Sequence, residues 1–201
     1  FYPNLLLLIN PFAIYDGIRF FMFGLPYLAI LPAITLHFLF NNYKKNLYKF
    51  ILFFLIILKC YFLYTFISLT PYHYTYLNKF VGDFSKAHHK FENDYWGTSL
   101  KELSSKIESN QNLKSNNEKK ILICGVGKGS TKYYLDKIDN FSYQIVGEKE
   151  NPEFVILTNR ILTYYNSKNS DLKTCFDKHK GKILEKVTRN GLTLSAIKEF
   201  N

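Results

Sequence analysis

An acidic and an arginine side chain lie three residues apart just before a long apolar stretch of the sequence. They are Asp16 and Arg19, and the apolar stretch covers residues 20–40. The planar guanidinium of arginine holds a phosphate group through two parallel hydrogen bonds, which an ammonium group cannot do. The pair therefore indicates a phosphate contact at the boundary between membrane and water. The alternative is an ordinary ion pair within the first turn of a helix.

A single lysine, Lys59, lies near the middle of a second apolar stretch, residues 47–69. A charge near the centre of a bilayer costs about 2.5–3.5 kcal/mol on insertion scales, so it usually faces a partner or water. Lys59 is therefore a candidate for contact with a lipid phosphate or with a carboxylate of another helix. The alternative is that its flexible side chain carries the ammonium group to the membrane surface.

Two clusters rich in aromatic residues follow the second apolar stretch. Their candidate interfacial residues are Tyr72, Tyr76, Asn78, Asp94, Tyr95 and Trp96. Tyrosine and tryptophan prefer the headgroup layer of a membrane, because one end of each ring system is apolar and the other is polar. On residue types alone, the clusters are typical of an interfacial anchor.

Three further motifs are interpreted as structural features rather than as binding sites. His88 and His89 are adjacent, so their side chains point in different directions and no shared metal site is predicted in this chain. The glycine-rich residues 125–131 have neither of the standard spacings of a phosphate-binding loop, and a tight turn from strand to helix is predicted instead. Cys124 and Cys175 can form a disulfide in an oxidising compartment, but their separation in space does not follow from the sequence.

The elements that position these residues differ between the two parts of the chain. Residues 1–78 contain five basic residues and one acid, whereas residues 79–201 contain the other 21 basic and 15 acidic residues. A helix needs roughly 20 apolar residues to cross a bilayer. Two transmembrane helices are therefore predicted at about residues 20–40 and 47–69, with the end of a third at residues 5–9.

Charge predicts the orientation of these helices. The loop that connects them contains Lys44, Lys45 and nearby Lys49, and short basic loops remain in the cytoplasm. Residues 79–201 are therefore expected on the extracytoplasmic side. The dispersed charges of that part, together with its tether to the membrane, argue against binding of nucleic acid.

The pattern of residues 79–201 predicts a small α/β domain. A helix is expected from Gly97 to Asn110, with Thr98 or Ser99 as its cap and Glu102 completing a capping box. Strands are expected at residues 120–124, 143–146 and 154–158, and a helix at residues 130–138. Residues 182–187 and 192–197 are expected to form a hairpin around the turn Asn190-Gly191. The predicted fold is thus a membrane α-helical segment followed by a small extracytoplasmic α/β domain.

Three segments together resemble one family. They are residues 15–26, residues 71–82 and residues 91–102, which contain YDGIRFF, PYHYTYLN and FENDYWGTS. In this order they are similar to the C-terminal portion of integral-membrane glycosyltransferases of the C type, in the bacterial branch that resembles dolichyl-phosphate-mannose–protein mannosyltransferases. Two positions depart from the pattern, since relatives often have His at Phe20 and Gln at His73.

The resemblance implies an activity and a set of partners. Such enzymes transfer a sugar from a polyprenyl-phosphate donor to a glycan or protein acceptor outside the cytoplasm, here at a bacterial inner or plasma membrane. Their catalytic carboxylate belongs to an early extracytoplasmic loop, so no catalytic residue is expected in this segment and a longer chain is expected upstream. A divalent metal is possible in the full-length enzyme, and no cofactor is expected in this segment. Arg19 is then the expected contact for the donor phosphate, and Asp16 orients Arg19 or meets a sugar hydroxyl.

Two other functions remain open at this point. One is a non-catalytic α/β domain anchored in the membrane, which binds a partner protein or a glycan. The other is a transporter, suggested by Lys59 and by Pro26 and Pro32 within the first apolar stretch, although internal repeats are not visible.

Overall fold

The computed structural model describes residues 24–76, 94, 96–111, 113, 117–160 and 174–200. The chain divides into two compact units, residues 1–62 and 63–201. The predictions for residues 5–9, 88–89 and 91–93 lie outside the described residues, as do those for four candidate site residues: Asp16, Arg19, Asn78 and Tyr95.

Two apolar helices precede the α/β part of the chain. Helix α1 covers Leu25–Asn41, and α2 covers Asn46–Ser68. Within the part of the chain that the structure describes, α2 is the one helix that is long and apolar enough to cross a membrane, by length and composition. Helix α1 has 17 residues and contains Pro32. Most side chains of both helices are exposed.

The second unit is a mixed α/β domain built on a five-stranded sheet, as the alternation of strand and helix patterns predicts. The strands are β1 (Lys119–Cys124), β2 (Tyr143–Ile145), β3 (Phe154–Thr158), β4 (Ile183–Arg189) and β5 (Leu192–Glu199). Their order in the sheet is β2-β1-β3-β5-β4. Strands β1, β2 and β3 are parallel, whereas β5 is antiparallel to both β3 and β4.

Three helices and two 3-10 turns complete the described elements. The helices are α3 (Leu100–Ser109), α4 (Lys128–Leu135) and α5 (Cys175–Lys178), and the 3-10 turns are His73–Thr75 and Glu148–Glu150. On α3, Leu100, Leu103 and Ile107 repeat at helical spacing and are all buried in the larger hydrophobic cluster against the sheet. This spacing predicted both the helix and its buried face.

The hairpin of β4 and β5 is confirmed with its predicted turn. Asn190 and Gly191 both have positive φ angles, 48° and 80°. A two-residue turn with this backbone matches the right-handed twist of the flanking strands, and Asn-Gly adopts it with little strain. Local turn chemistry therefore determined the pairs next to the turn, Arg189 with Leu192 and Thr188 with Thr193, whereas the register shifts further along the hairpin.

The unit that contains the sheet covers residues 63–201 and includes the chain that follows α2. Leu69 and Tyr72 are buried and belong to the same hydrophobic cluster as Leu103 and Ile156. The chain that leaves α2 therefore packs into the α/β core directly. Composition alone does not reveal this, because tyrosine and leucine suit both a membrane boundary and a protein core.

The opposite face of the sheet has a smaller cluster and a buried histidine. His179, just after α5, has a buried ring whose Nε2 atom has no hydrogen-bond partner. Burial lowers the pKa of His179, and Lys178 and Lys198 lower it further, whereas Glu148, 3.9 Å away, opposes them. Nearby Lys198 donates hydrogen bonds to the backbone carbonyls of Phe176 and His179. The folded unit thus favours neutral His179.

This preference predicts a loss of stability in mild acid. Because the pKa of His179 is lower in the folded chain than in the unfolded one, the unfolded state takes up its proton first as pH falls below about 6.5. Urea denaturation followed by the fluorescence of Trp96, the single tryptophan, should show the free energy of unfolding decreasing below that pH. The His179→Gln variant should lose this part of the pH dependence. An unchanged pH profile in the variant would contradict the assignment.

Candidate functional site

A groove of about 560 Å³ lies beside the chain that leaves α2 and the first turns of α3. Its lining contains two tyrosines, two hydroxyl side chains, one acid and one lysine besides a proline: Pro71, Tyr72, Tyr74, Thr98, Lys101, Glu102 and Ser105. The backbone turns between Thr70 and Tyr76 bring the tyrosines here, and helical spacing places residues 101, 102 and 105 on one side of α3, with Thr98 just before the helix. The tertiary fold therefore brings together two segments that are separate in the sequence.

One wall of the groove is an ion-pair network between α3 and the end of β4. The Arg189 guanidinium donates to both carboxylate oxygens of Glu102, at 2.6 and 3.3 Å. The Tyr72 hydroxyl donates to the same carboxylate at 2.9 Å, and the guanidinium carbon lies 4.9 Å from the centre of the Tyr72 ring. Arg189 also donates to the backbone carbonyl of Thr70. One arginine therefore joins the segment after α2, helix α3 and the hairpin.

These bonds keep Glu102 ionised. Burial alone would raise its pKa, but the hydrogen bonds from Arg189 and Tyr72 and the positive charges of Arg189 and Lys106 outweigh burial and lower it. Burial and the neighbouring carboxylate raise the pKa of Tyr72. The pair thus consists of a carboxylate and a neutral phenol near neutral pH. Glu102 is poorly suited to act as a general acid, because it holds no proton to donate.

The network is expected to stabilise the α/β unit measurably. Arg189→Ala should lower the free energy of unfolding by about 2 kcal/mol, because it removes charge-assisted bonds and leaves Glu102 without its main partner. Arg189→Lys should restore only part of the loss, since an ammonium group cannot make the two-pronged contact. Urea denaturation followed by Trp96 fluorescence measures both effects. A loss for Arg189→Ala no larger than that for an exposed residue such as Lys182→Ala would contradict this account.

A second wall is organised by a buried carboxylate, Asp94. Its Oδ1 accepts hydrogen bonds from the Tyr74 hydroxyl and from the backbone N–H of Thr98, the latter at 2.9 Å. Its Oδ2 accepts from the backbone N–H of Ser99 at 3.1 Å and from the Ser99 hydroxyl. Asp94 has no exposed surface. The carboxylate therefore acts as a fixed acceptor that joins Tyr74 to the start of α3.

Asp94 replaces the capping box that was predicted at Ser99 and Glu102. That prediction is wrong, because the Ser99 side chain makes no capping bond to α3. Its hydroxyl lies between Asp94 and the Ser195 hydroxyl, 2.7 Å away on β5. Glu102 is committed to Arg189. Asp94 thus binds the backbone N–H groups of Thr98 and Ser99, the two residues that lead into α3, which a local motif does not reveal.

The other candidate residues are placed as follows. Trp96 has 64% of its surface exposed, and Tyr76 is also exposed. Lys59 lies on α2, in the other unit, with its ammonium group 6.0 Å from the centre of the Phe62 ring. The structure therefore brings Tyr72 and Asp94 into the site. An interfacial role for Trp96 and Tyr76 and a phosphate contact for Lys59 stay predictions.

Several site residues were not found by sequence reasoning. They are Tyr74, Lys101, Glu102 as a partner of Arg189, Arg189 itself, and Ser195. Arg189 is 87 residues from Glu102 in the chain, and no local spacing connects them. The capping pattern drew attention to Glu102 but assigned it the wrong partner.

The two cysteines of this unit form a disulfide. Cys124 at the end of β1 and Cys175 at the start of α5 have their Cα atoms 5.8 Å apart. The distance between the two cysteines, which the sequence did not determine, is therefore short enough for the bond. Residues 125–131 form the predicted strand-to-helix turn, in which Gly125 has a φ angle of 83°. Within the residues that the structure describes, no group of three or more His, Cys, Asp or Glu side chains is placed to hold a metal ion.

No protein-family model, curated protein or solved structure matches this chain. The groove and its chemistry are therefore the basis for the functional argument. Its open lining offers the exposed ring of Tyr74, an exposed ammonium group from Lys101 and hydroxyl groups from Thr98 and Ser105. Such a surface can bind a polar ligand that carries both hydroxyl groups and negative charge.

Proposed function

We propose that this chain is the C-terminal part of a membrane glycosyltransferase that transfers a sugar from a polyprenyl-phosphate donor to an extracytoplasmic acceptor. The groove directly beyond the end of α2 is the observation that carries the proposal. A sugar linked to a lipid phosphate is held at the level of the headgroups, which is where a membrane-crossing α2 would place Tyr72, Tyr74 and Lys101.

The chemistry of the groove suits binding rather than bond cleavage. Lys101 can pair with a phosphate, and the Tyr74 ring and the hydroxyl groups of Thr98 and Ser105 can contact a sugar. Glu102 and Asp94 are both occupied by protein donors. The catalytic carboxylate is therefore assigned to a part of the enzyme outside this segment. Asp16 and Arg19 are the proposed contacts for the donor phosphate, and Lys59 is a further candidate.

Two observations support the proposed topology. Residues 20–40 and 47–69 form two transmembrane helices in this proposal, and the basic loop with Lys44 and Lys45 remains in the cytoplasm. The disulfide between Cys124 and Cys175 suits the oxidising side of the membrane, since cytoplasmic thiols are kept reduced. The α/β unit then faces the periplasm or cell exterior of a bacterial inner or plasma membrane.

Transfer by the full-length protein in lipid nanodiscs tests the activity. With a radiolabelled polyprenyl-phosphate sugar, Arg19→Ala should abolish transfer while expression stays normal, because a desolvated phosphate loses its two-pronged contact. Lys101→Ala should raise the KM for the donor about tenfold, as expected for the loss of one charge-assisted bond. Lys44→Ala, in the opposite loop, is the matched control and should leave transfer unchanged. Wild-type transfer by Arg19→Ala would overturn the donor-site assignment.

A membrane-anchored binding domain is the second candidate. It is favoured by one observation, that both acids at the groove are already occupied by donors from the protein. In that case the full-length protein would bind a glycan or partner and transfer nothing. Labelling of a cysteine placed at Trp96 tests the topology that both functions share, and labelling only from the cytoplasmic side would contradict both.

A further inference from the structure

The ring of Tyr74 is exposed in the groove, while its hydroxyl group is held by the protein. Tyr74 has 49% of its surface exposed and lines the groove. Its hydroxyl donates to the buried carboxylate of Asp94 and contacts the Thr98 hydroxyl. Because the polar end of the side chain has these partners, the surface that Tyr74 offers to the groove is mainly that of its ring.

The partners of the hydroxyl fix the direction of the ring. A tyrosine side chain rotates about only two bonds, so a held hydroxyl leaves its ring little freedom. Asp94 is itself fixed by the backbone N–H groups of Thr98 and Ser99, at 2.9 and 3.1 Å. The ring is therefore ordered before a ligand arrives, which lowers the entropy cost of binding.

The chemistry available to Tyr74 is that of its ring rather than of its hydroxyl. Burial and the hydrogen bond to Asp94 raise the pKa of Tyr74, so the phenol stays protonated near neutral pH. Its proton is directed at Asp94. Tyr72, the second tyrosine of the lining, is 4% exposed, and its hydroxyl donates to Glu102. Among the lining residues, Tyr74 thus supplies the exposed aromatic surface.

A positive charge lies close to the residue that holds this ring. Lys101 follows Thr98 by three residues, and both are exposed and line the groove. Ser105 is one turn further along α3, about 6 Å from Lys101 along the helix axis, a span that one sugar residue can bridge. The acid of the lining, Glu102, is bound by Arg189. A negatively charged group beside the ring would therefore meet the ammonium group of Lys101 rather than an unpaired carboxylate.

We infer that the groove binds an anionic pyranose, whose C–H face packs on the Tyr74 ring and whose negative group pairs with Lys101. The face of an aromatic ring carries partial negative charge, so it attracts the weakly positive C–H groups of a sugar. The volume of the groove, about 560 Å³, is typical of ligand sites. The inference deepens the proposed function and rests on it for the presence of a sugar. It makes Tyr74 the residue that selects a pyranose.

The negative group has two chemical sources, the phosphate of a lipid-linked sugar or the carboxylate of an acidic glycan. Saturation-transfer NMR on the full chain in nanodiscs distinguishes them, with glucose 1-phosphate in one arm and methyl glucuronide in the other. Methyl glucoside is the neutral reference. When the aromatic protons of the protein are saturated, the C–H protons on one face of the bound sugar should receive the strongest transfer. The anionic sugar with the higher affinity identifies the source of the charge.

Variants separate the ring from the rest of the side chain. Tyr74→Leu removes the ring and should lower the affinity for the anionic sugar about tenfold, with loss of the face-selective transfer. Tyr74→Phe keeps the ring and should retain the affinity within about threefold. Lys101→Gln should lower the affinity for the anionic sugar about tenfold and leave that for methyl glucoside unchanged, as expected for one charge-assisted bond. Tyr133→Leu, at an exposed tyrosine outside the lining, is the matched control.

The results that would overturn the inference differ from a failure of the proposed transferase. Unchanged sugar affinity in Tyr74→Leu, or no transfer from aromatic protons in any arm, would overturn the packing on Tyr74. Equal affinity for the charged and neutral sugars would overturn the pairing with Lys101. Binding of these sugars involves no transfer step. A full-length protein that binds them through Tyr74 but transfers no sugar would therefore lose the transferase assignment and keep this site.

Discussion

Replacing Asp94 with alanine is expected to lower the free energy of unfolding of the α/β unit by about 3–5 kcal/mol, because several donors would each lose an acceptor at a cost of about 1–3 kcal/mol. The carboxylate has no exposed surface and accepts hydrogen bonds from Tyr74, Thr98 and Ser99. Alanine would leave these buried or half-buried donors without an acceptor. It would also release the backbone N–H groups of Thr98 and Ser99, which hold the residues that lead into α3.

The effect is measured by urea denaturation in nanodiscs, with Trp96 fluorescence as the probe. Asp94→Asn is a second test. The asparagine amide keeps one acceptor oxygen, but its NH2 group lies opposite protein groups that are themselves donors. It should recover only part of the loss. Asp139→Ala, at an exposed acid, is the matched control and should change the free energy of unfolding by less than about 0.5 kcal/mol. A change that small for Asp94→Ala would show that the carboxylate does not hold the site together.

Loss of the disulfide is expected to cost nearly as much. Cys124 and Cys175 are 51 residues apart, and closing a loop of this length lowers the entropy of the unfolded chain by an amount worth about 4 kcal/mol. The bond also fixes the short helix α5 to the end of β1, and Cys175 itself belongs to the smaller hydrophobic cluster. The double variant Cys124→Ser/Cys175→Ser should therefore unfold at a markedly lower urea concentration.

Cys60 provides the control for this measurement. It is the free cysteine of the described residues and lies on α2. Cys60→Ser should leave the denaturation midpoint unchanged, and dithiothreitol should lower the midpoint of wild type but not of the double variant. An equal midpoint for wild type with and without reductant would mean that the disulfide contributes no stability.

The elements that local rules govern could be predicted from the sequence. Strand β3 was predicted at residues 154–158, where the structure has it, and β1 begins one residue earlier than predicted. The repeat of Leu100, Leu103 and Ile107 identified both α3 and its buried face. Asn190-Gly191 identified the hairpin, because few other dipeptides tolerate two successive positive φ angles. Periodicity and turn chemistry act over a few residues, so they can be recognised in the sequence without knowledge of the fold.

The site depended on contacts between distant residues. Glu102 had one plausible local partner in Ser99, yet in the fold it binds Arg189, which lies 87 residues further along the chain. Tyr72 suited a membrane boundary by residue type and is instead buried in the α/β core. Residue spacing thus determined the strands, the helices and the apolar character of α2. Only packing decided which carboxylate meets which donor, because that choice depends on where the sheet brings together segments that the sequence keeps far apart.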